Sequence, residues 1–391
     1  MNPHRLELAD VFRTHQHDFL ARWNPVLSRQ HRKALRDIRD CRTAVLGGHL
    51  YECDRCGHRV KVFNSCRNRH CPKCQATARA KWLAQREAEL LPVPYFHVVF
   101  TLPAQIGRLA LQNPRQIYSI LFQTASETLL TIAADPRHLG AHIGFLAVLH
   151  TWGQNLHLHP HLHCVVPGGG FSPDGSRWIA CRKDSFFLPY KVLSHLFRKL
   201  FLLALGKAFR KGQLRFSGEL RELTKPAAFQ ALCEKADHLE WVVHVKPPFG
   251  GPRRVLKYLA RYTHRVAISN HRLRTLENGC VSFDWKDYAD HSRTKIMTLD
   301  AVEFIRRFLL HVLPSGLVRI RQFGFLANRV RKQKLSLCRA LLAVSVAPMP
   351  IDPDDSTTSV EDPHACPICK RGRLIVIELL GTETAAVQDT S

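Results

Sequence analysis

The chain has 391 residues, of which 45% are hydrophobic and 23% charged, so it is not a mostly disordered chain and it has room for two or three domains. Lys and Arg number 57 against 32 Asp and Glu, and the net charge of +25 favours a polyanionic partner such as nucleic acid. Without a visible signal peptide or membrane-length apolar run, the 13 cysteines favour metal sites over disulfides, and we expect a cytoplasmic protein with no membrane partner.

The first part of the chain, residues 1–92, predicts two helices before a cysteine-rich segment. Apolar and aromatic residues between 5 and 23 recur at spacings of three and four, which predicts an amphipathic helix. A second helix is predicted from Ser28 to Asp40, with Ser28 as its N-cap. After the cysteines a basic helix is predicted over 76–91, and closely spaced prolines then mark a boundary.

The cysteine-rich segment predicts one or two structural zinc ions. Its two Cys-x₂-Cys pairs supply four thiolates, the ligand set of one closed tetrahedral site: Cys53, Cys56, Cys71 and Cys74. The remaining metal-binding side chains predict a second, Cys₂His₂ site: Cys41, His49, Cys66 and His70. Arg67, Arg69 and Lys73 lie among these ligands as a DNA-docking face requires, with a solvated surface as the alternative.

Beyond residue 93 the pattern changes to alternating strands and helices. Periodicity and composition predict strands over 95–100, 143–152, 162–166 and 241–246, helices over 114–134 and 191–210 and from near 252, and further strands over 266–273, 280–285 and 292–299.

The C-terminal part combines a basic segment, an acidic linker and a short tail. Residues 300–344 predict basic helical structure, although arginines and lysines around Phe323 and Phe325 are also compatible with backbone contacts and base stacking on single strands. The acidic, proline-rich stretch 348–363 predicts a disordered linker. In the tail, residues 364–391, Cys366 and Cys369 are half of a metal site, with His364 as a further candidate ligand.

A His-hydrophobic-His strand is a candidate catalytic metal site. Side chains alternate along a strand, so His161 and His163 share one face while Leu162 points into the core. Two imidazoles on one face can bind a divalent cation, although packed core histidines are the alternative.

Two tyrosines one helical turn apart are candidate nucleophiles. Tyr258 and Tyr262 share a helix face, so both phenols can reach one phosphodiester, whereas tyrosines packed against the core are the alternative. The surrounding basic residues suit a phosphate-lined groove: Arg254, Lys257, Arg261 and Arg265.

The motifs together resemble the rolling-circle insertion-sequence transposases, two-tyrosine enzymes of the HUH nuclease superfamily with an N-terminal zinc-binding domain. The resemblance covers about residues 10–345, and the motifs that carry it, in chain order, are NSCRNRHCPKC at 64–74, FTLP at 100–103, HPHLHC at 159–164 and YLARYTHRV at 258–266.

The resemblance implies an α+β chain with a helical, zinc-binding DNA-recognition domain over 1–92 and a ferredoxin-like HUH nuclease domain over 93–275. That domain would have a central antiparallel sheet with the histidine pair on a middle strand, followed by a helical basic region over 276–347. It also implies catalytic Mg²⁺ or Mn²⁺ on His161, His163 and a third ligand, for which His150 is the first choice and Gln154 and His97 are the alternatives.

The activity implied is cleavage of single-stranded DNA at the element ends through a 5′-phosphotyrosine on Tyr258 or Tyr262. The covalent link stores the bond energy, so no ATP is needed, and the sequence lacks the glycine-rich loop of an ATPase. Alternatives are a plasmid or phage replication initiator, which uses the same chemistry, and a zinc-finger DNA-binding protein without catalysis. A recombinase with an acidic triad is disfavoured because no suitably spaced Asp/Glu set is evident.

Overall fold

The computed structural model describes residues 5–74, 82, 87, 89–181, 187–246, 267–288, 290–342 and 364–383. The helices in these residues are α1 (Leu8–Trp23), α2 (Arg29–Arg39), α3 (Ala104–Gln112), α4 (Pro114–Ala134), α5 (Tyr190–Arg210), α6 (Pro226–Asp237), α7 (Ala301–Leu309) and α8 (Arg331–Leu341). The strands are β1 (Gly48–Cys53), β2 (Arg59–Phe63), β3 (Tyr95–Thr101), β4 (Gly144–Trp152), β5 (Leu158–Pro167), β6 (Gly169–Phe171), β7 (Trp178–Ala180), β8 (Val243–Lys246), β9 (Leu273–Glu277), β10 (Cys280–Asp287), β11 (Arg293–Asp300), β12 (Ile320–Gly324) and β13 (Leu374–Leu380).

The two N-terminal helices form where the apolar periodicity and the capping residue predict them. α1 buries Leu8, Phe12 and Phe19 along one stripe. α2 begins after Ser28, whose hydroxyl oxygen accepts a hydrogen bond from the backbone N–H of His31 at 3.2 Å. The predicted N-cap of the second helix is therefore confirmed.

The central sheet has five strands in the order β12-β4-β5-β3-β8, and every neighbouring pair is antiparallel. β5 is the middle strand, and its residues alternate between the two faces. Leu162, Cys164 and Val166 are buried in the core that the helices cover, whereas His161 and His163 lie on the opposite face with Val165. The chain thus combines helices with antiparallel sheet, and the predicted histidine strand lies at the sheet centre.

α4 and α5 form the helical layer on that sheet. Their buried residues, among them Leu121, Leu129, Phe197 and Phe201, pack against the apolar side chains of β3, β4 and β5. Of the helices in the described ranges, none is both long and apolar enough to cross a membrane.

A second core joins the N-terminal helices to a later segment of the chain. The ring centroids of Phe12 in α1 and Phe308 in α7 are 5.6 Å apart, and Phe283 in β10 lies 5.7 Å from Phe304. Trp152 at the end of β4 belongs to the same cluster. The predicted division at residue 276 is therefore not reflected in the packing, since residues 267–312 share a core with α1 and α2.

Two predictions for the C-terminal part are wrong. Residues 320–324 are not helical but form β12, which pairs with β4 because an edge of the central sheet is open to it. The strand predicted over 266–273 begins only at Leu273, since residues 270–272 form a 3₁₀ turn. The tail also forms a strand that the sequence does not predict: β13 pairs with β1 of the cysteine-rich segment.

Candidate active site

Three histidines from two neighbouring strands converge at one end of the sheet. In the register of β4 and β5, His150 lies opposite His161, and His163 is two residues along on the same face. One ring nitrogen from each histidine lies within 4.8 Å of one from each of the other two, and Nε2 of His161 is 3.0 Å from Nε2 of His163. The three side chains are buried, with 2%, 9% and 7% of the surface of residues 150, 161 and 163 exposed.

Hydrogen bonds fix which nitrogen two of these rings direct toward the cluster. Nδ1–H of His161 donates to the backbone carbonyl of His159 at 2.6 Å, which leaves Nε2 for the cluster. Nδ1 of His163 lies 2.8 Å from Nε2 of His97 on β3, so its Nε2 also points at the cluster. Rings held in this way are typical of metal ligands, whose second nitrogen usually bonds to a carbonyl or another polar group.

His97, an alternative third ligand in the sequence, has a different place in the structure. Its ring lies parallel to that of His163 with centroids 5.0 Å apart, and it contacts the far nitrogen of that ring. Burial, the nearby Lys246 and His161 lower the pKa of His97 to about 3, so it is neutral near pH 7 and its Nε2 can accept a hydrogen bond from Nδ1–H of His163. Gln154, the other alternative, lies against Tyr288 with Nε2 3.4 Å from the hydroxyl.

Two nitrogens of the three-histidine cluster lie at the spacing of metal ligands. Two nitrogens that share an ion at about 2.1 Å lie about 3.0 Å apart in an octahedral site and about 3.4 Å apart in a tetrahedral one. The 3.0 Å between His161 and His163 falls at the octahedral value. Trp152 stacks on His150 with centroids 4.7 Å apart and shields that side of the cluster. The cluster can therefore bind a divalent cation between three neutral imidazoles.

The predicted nucleophiles and the basic residues around them cannot be placed. Tyr258 and Tyr262 lie outside the described residues, as do Arg254, Lys257, Arg261 and Arg265.

The cysteines form two clusters, but not the predicted ones. One consists of Cys41, Cys66, Cys71 and Cys74, and the other of Cys53, Cys56, Cys366 and Cys369. The predicted site that joins both Cys-x₂-Cys pairs is therefore wrong. Cys53 and Cys56 lie in the turn between β1 and β2, and the tail strand β13 brings its own pair to that turn. Cys71 and Cys74 instead meet Cys41, which follows α2.

The predicted Cys₂His₂ site is also wrong in its histidines. His70 is enclosed by protein groups: the backbone N–H of Leu313 donates to its Nε2 at 3.2 Å, and its Nδ1 lies 3.0 Å from the side-chain oxygen of Asn68. Burial lowers its pKa to about 3. His49 lies on β1, where its ring is near that of Tyr51 and not with the cysteines.

Two of the three basic residues predicted to face DNA in this segment make contacts inside the protein. Arg69 donates to the backbone carbonyls of Leu313, Pro314 and Leu317 at 3.1, 2.7 and 2.7 Å. Lys73 forms an ion pair of 2.5 Å with Glu7. Arg67 is exposed, so of the three it is the side chain available to a phosphate.

The two aromatic residues that were candidates for base stacking pack against other aromatic side chains of the protein. Phe323 stacks on Phe145 with ring centroids 5.2 Å apart, and Phe325 is 5% exposed and contacts Phe171 edge to face. Phe325 is buried in the protein core and Phe323 is partly buried against it, so both rings pack against protein side chains, in place of the base stacking that the sequence allows.

The sequence is similar to those of known transposases. Residues 11–102 match the IS91-type family model described as "Transposase zinc-binding domain", and residues 144–334 match a model described as "Putative transposase". The chain is 56% identical over 381 residues to "Putative transposase y4qJ" of Sinorhizobium fredii (strain NBRC 101917 / NGR234), with 95% of each chain covered. It is 29% identical over 338 residues to the "Transposase for insertion sequence element IS801" of Pseudomonas savastanoi pv. phaseolicola, covering 84% of this chain and 79% of that one.

Among solved structures, one similarity is to the conjugative relaxase TrwC in complex with oriT DNA. The sequences are 15% identical, the match covers 43% of this chain and 71% of the relaxase chain, and the TM-score is 0.25.

Proposed function

The chain belongs to the family of insertion-sequence transposases that carry an IS91-type zinc-binding domain, and from that premise we propose that it cleaves and transfers single DNA strands at a divalent metal ion. The observation that carries this proposal is the buried cluster of His150, His161 and His163 on the middle of the central sheet. Three buried imidazoles that face one another are costly in an apolar core, and a bound cation offsets that cost. The alternative function, a zinc-finger DNA-binding protein without catalysis, does not explain why three histidines are buried together.

The donor set indicates which kind of ion the cluster takes. His150, His161 and His163 offer three nitrogens, whereas Mg²⁺ strongly prefers oxygen ligands. We therefore favour a transition-metal ion such as Mn²⁺ over Mg²⁺ as the physiological partner. Bound there, the ion would polarise the scissile phosphate as a Lewis acid and leave coordination positions open for DNA oxygens.

The side chains of the chain itself do the remaining work. His97 and the carbonyl of His159 hold the rings of His163 and His161 so that their Nε2 atoms stay directed at the cluster. Tyr258 or Tyr262 supplies the nucleophile: its phenolate oxygen bonds to phosphorus, and the bond to the 3′ oxygen breaks. The products are a 5′-phosphotyrosine and a free 3′-OH, and the second tyrosine serves the later transfer. Support for this role is the one-turn spacing of the two phenols in the sequence.

The cluster of Cys41, Cys66, Cys71 and Cys74 would hold structural zinc in the N-terminal block. Four sulfurs about 2.3 Å from a tetrahedral Zn²⁺ lie about 3.8 Å apart. Sγ of Cys74 is 3.5 Å from Sγ of Cys41 and 3.6 Å from that of Cys66, which is close to that geometry. Zinc here would fix the loop after β2 against the end of α2 and so present Arg67 at the surface.

The proposal is tested by metal-dependent cleavage of single-stranded oligonucleotides from the ends of the element. We expect the wild type to cleave with Mn²⁺ and to stop with EDTA, while His161→Ala and His163→Ala bind DNA but do not cleave. His142→Ala is the matched control, because His142 is an exposed histidine outside the cluster and should cleave as the wild type does. Cleavage by either cluster variant at the wild-type rate would show that the metal site is misassigned.

A further inference from the structure

The C-terminal tail of the chain completes a sheet that begins near the N-terminus. The ribbon, as we name the sheet β13-β1-β2, has β1 in the middle, paired on one side with β2 and on the other with β13. The pairing with β13 runs from Gly48 opposite Leu380 to Cys53 opposite Leu374. The tail is therefore a structural part of the cysteine-rich segment, although more than three hundred residues of sequence lie between β1 and β13.

Two turns with the same local geometry face each other at one end of the ribbon. In the first, Gly57 follows Cys56 with φ +67° and its N–H donates to the carbonyl of Cys53 at 3.1 Å. In the second, Lys370 follows Cys369 with φ 54° and its N–H donates to the carbonyl of Cys366 at 3.0 Å. A turn of this kind directs both sulfurs of a Cys-x₂-Cys pair to one side.

The four sulfurs lie at the spacing of a tetrahedral thiolate site. Sγ of Cys53 is 3.7 Å from Sγ of Cys369, and Sγ of Cys56 is 3.7 Å from Sγ of Cys366. Four sulfurs around one Zn²⁺ lie about 3.8 Å apart, whereas two sulfurs in a disulfide are about 2.05 Å apart. The spacing therefore fits four thiolates around one ion.

The backbone around the cysteines is shaped to let the tail approach them. Gly372 lies so close to Cys53 that a Cβ at this position would overlap its sulfur and come within 2.6 Å of the Asp54 carboxylate. The N–H of Gly372 donates to Sγ of Cys369 at 3.3 Å, a bond that stabilises a thiolate. Asp54 also binds the tail directly, because its carboxylate accepts from the N–H of Arg373 at 2.8 Å.

We propose that Cys53, Cys56, Cys366 and Cys369 bind a second structural zinc ion, which fastens the C-terminal tail to the N-terminal block. The site is separate from the zinc site of Cys41, Cys66, Cys71 and Cys74, and it does not depend on the cleavage chemistry. Two of its ligands lie beyond residue 102, where the match to the zinc-binding family model ends. Because β13 lies far beyond β1 in the chain, the ribbon is complete only after β13 has been synthesised.

Zinc content of the purified full-length chain tests the stoichiometry. We expect two zinc ions per chain in the wild type and one in Cys366→Ser/Cys369→Ser, since the first cluster keeps its four ligands. Cys181→Ser/Cys233→Ser is the matched control and should keep two, because neither residue belongs to a cysteine cluster. A wild type with one zinc ion, or a tail variant that keeps two, would overturn the proposal.

A second experiment tests whether zinc holds the tail to the N-terminal block, by measuring whether a cleaved tail stays bound to the rest of the chain. Its wild-type arm remains informative if a variant is unstable. A site-specific protease sequence inserted after Thr357 allows the tail to be cut from the folded full-length chain. We expect the fragment to co-elute with the rest of the wild type on size exclusion and to separate after zinc is removed with a chelator. The fragment of Cys366→Ser/Cys369→Ser should separate without chelator. A wild-type fragment that separates as readily as the variant fragment would contradict the proposal.

Discussion

At the residue scale, the orientation of each imidazole decides which nitrogen it offers to a metal. His161 and His163 both use Nδ1 for hydrogen bonds within the protein, to the carbonyl of His159 and to His97. Each therefore presents Nε2 to the cluster without rotation of its ring. In the proposed site His97 is a positioning residue, since it would act on a bound metal only through His163.

Replacement of His97 by phenylalanine tests this positioning role. His97→Phe keeps a planar ring in the core but removes the acceptor for Nδ1–H of His163, so we expect Mn²⁺ affinity to fall about 10- to 100-fold. Excess Mn²⁺ should then restore most of the cleavage, which a purely structural defect would not allow. The measurement is the Mn²⁺ concentration for half-maximal cleavage, with His142→Phe as control. If His97→Phe needs the same Mn²⁺ concentration as the wild type for half-maximal cleavage, His97 does not position a metal ligand.

Arg67 and Arg69 differ by two positions in sequence but should respond to mutation in opposite ways. Arg69 donates to three backbone carbonyls, so Arg69→Met should lower the free energy of unfolding by about 1.5–3 kcal/mol. Arg67 is exposed, so Arg67→Met should leave the free energy of unfolding within about 0.5 kcal/mol of wild type. The same variant should bind DNA more weakly, and its affinity for DNA should depend less steeply on salt concentration. Denaturant unfolding and binding at several salt concentrations measure both effects. A stable Arg69→Met protein with weaker DNA binding would reverse the two assignments.

The sequence predicts the histidine cluster better than it predicts the cysteine clusters. Strand alternation places His161 and His163 on one face, and the adjacent strand brings His150 to them. The spacing of the cysteines identifies them as metal ligands but does not show which cysteine pairs share one ion. Cys53 and Cys56 are grouped with a pair from the tail, which the pairing of β13 with β1 brings close to them. The role of His97 depends on a ring-to-ring contact across β3 and β5 that no local pattern encodes.

At the element scale, β12 shows why local patterns fail at the edge of a sheet. The segment lies in a basic region for which the sequence predicts helical structure, yet it forms five residue pairs with β4 from Ile320 to Gly324. The pairing is non-local, since β4 lies far back in the chain. Elements with strong local signals, such as α1, α4 and α5, are instead found close to where the sequence predicts them.

Gly324 ends β12 at a point where the backbone of another strand approaches closely. Its φ is +59°, and a Cβ here would overlap the carbonyl oxygen of Ile143. Gly212, after α5, has a similar φ of +63° but no atom within 4 Å of the equivalent Cβ. The two positions thus share a left-handed backbone conformation that suits glycine, and they differ in the space around the Cβ position.

We expect Gly324→Ala to be clearly more destabilising than Gly212→Ala. Both substitutions cost about 1–2 kcal/mol for a left-handed residue with a Cβ, but Gly324→Ala must also move β12 away from Ile143. The measurement is the free energy of unfolding of each variant in denaturant. Equal decreases in the free energy of unfolding for the two variants would show that the backbone around Gly324 and Ile143 can move apart without destabilising the protein.

At the scale of the whole molecule, the core shared by the N-terminal helices and residues 267–312 reaches the histidine cluster. Trp152 packs in the core that joins α1 and α2 to residues 267–312, and the same ring stacks on His150. Trp152 therefore links the N-terminal block to the histidine cluster. The net charge of +25 predicts a polyanionic partner from composition alone, whereas the shared core between distant segments follows from packing that the sequence pattern does not reveal.

The most direct test of the account is the covalent adduct between the protein and single-stranded DNA from the ends of the element. With Mn²⁺, the wild type should form a denaturant-resistant 5′-linked adduct that peptide mass spectrometry maps to Tyr258 or Tyr262. Because Tyr→Phe removes only the nucleophilic oxygen, Tyr258→Phe/Tyr262→Phe should bind DNA and form no adduct. An adduct that persists in the double variant, on any other residue, would contradict the proposed strand transfer through these tyrosines.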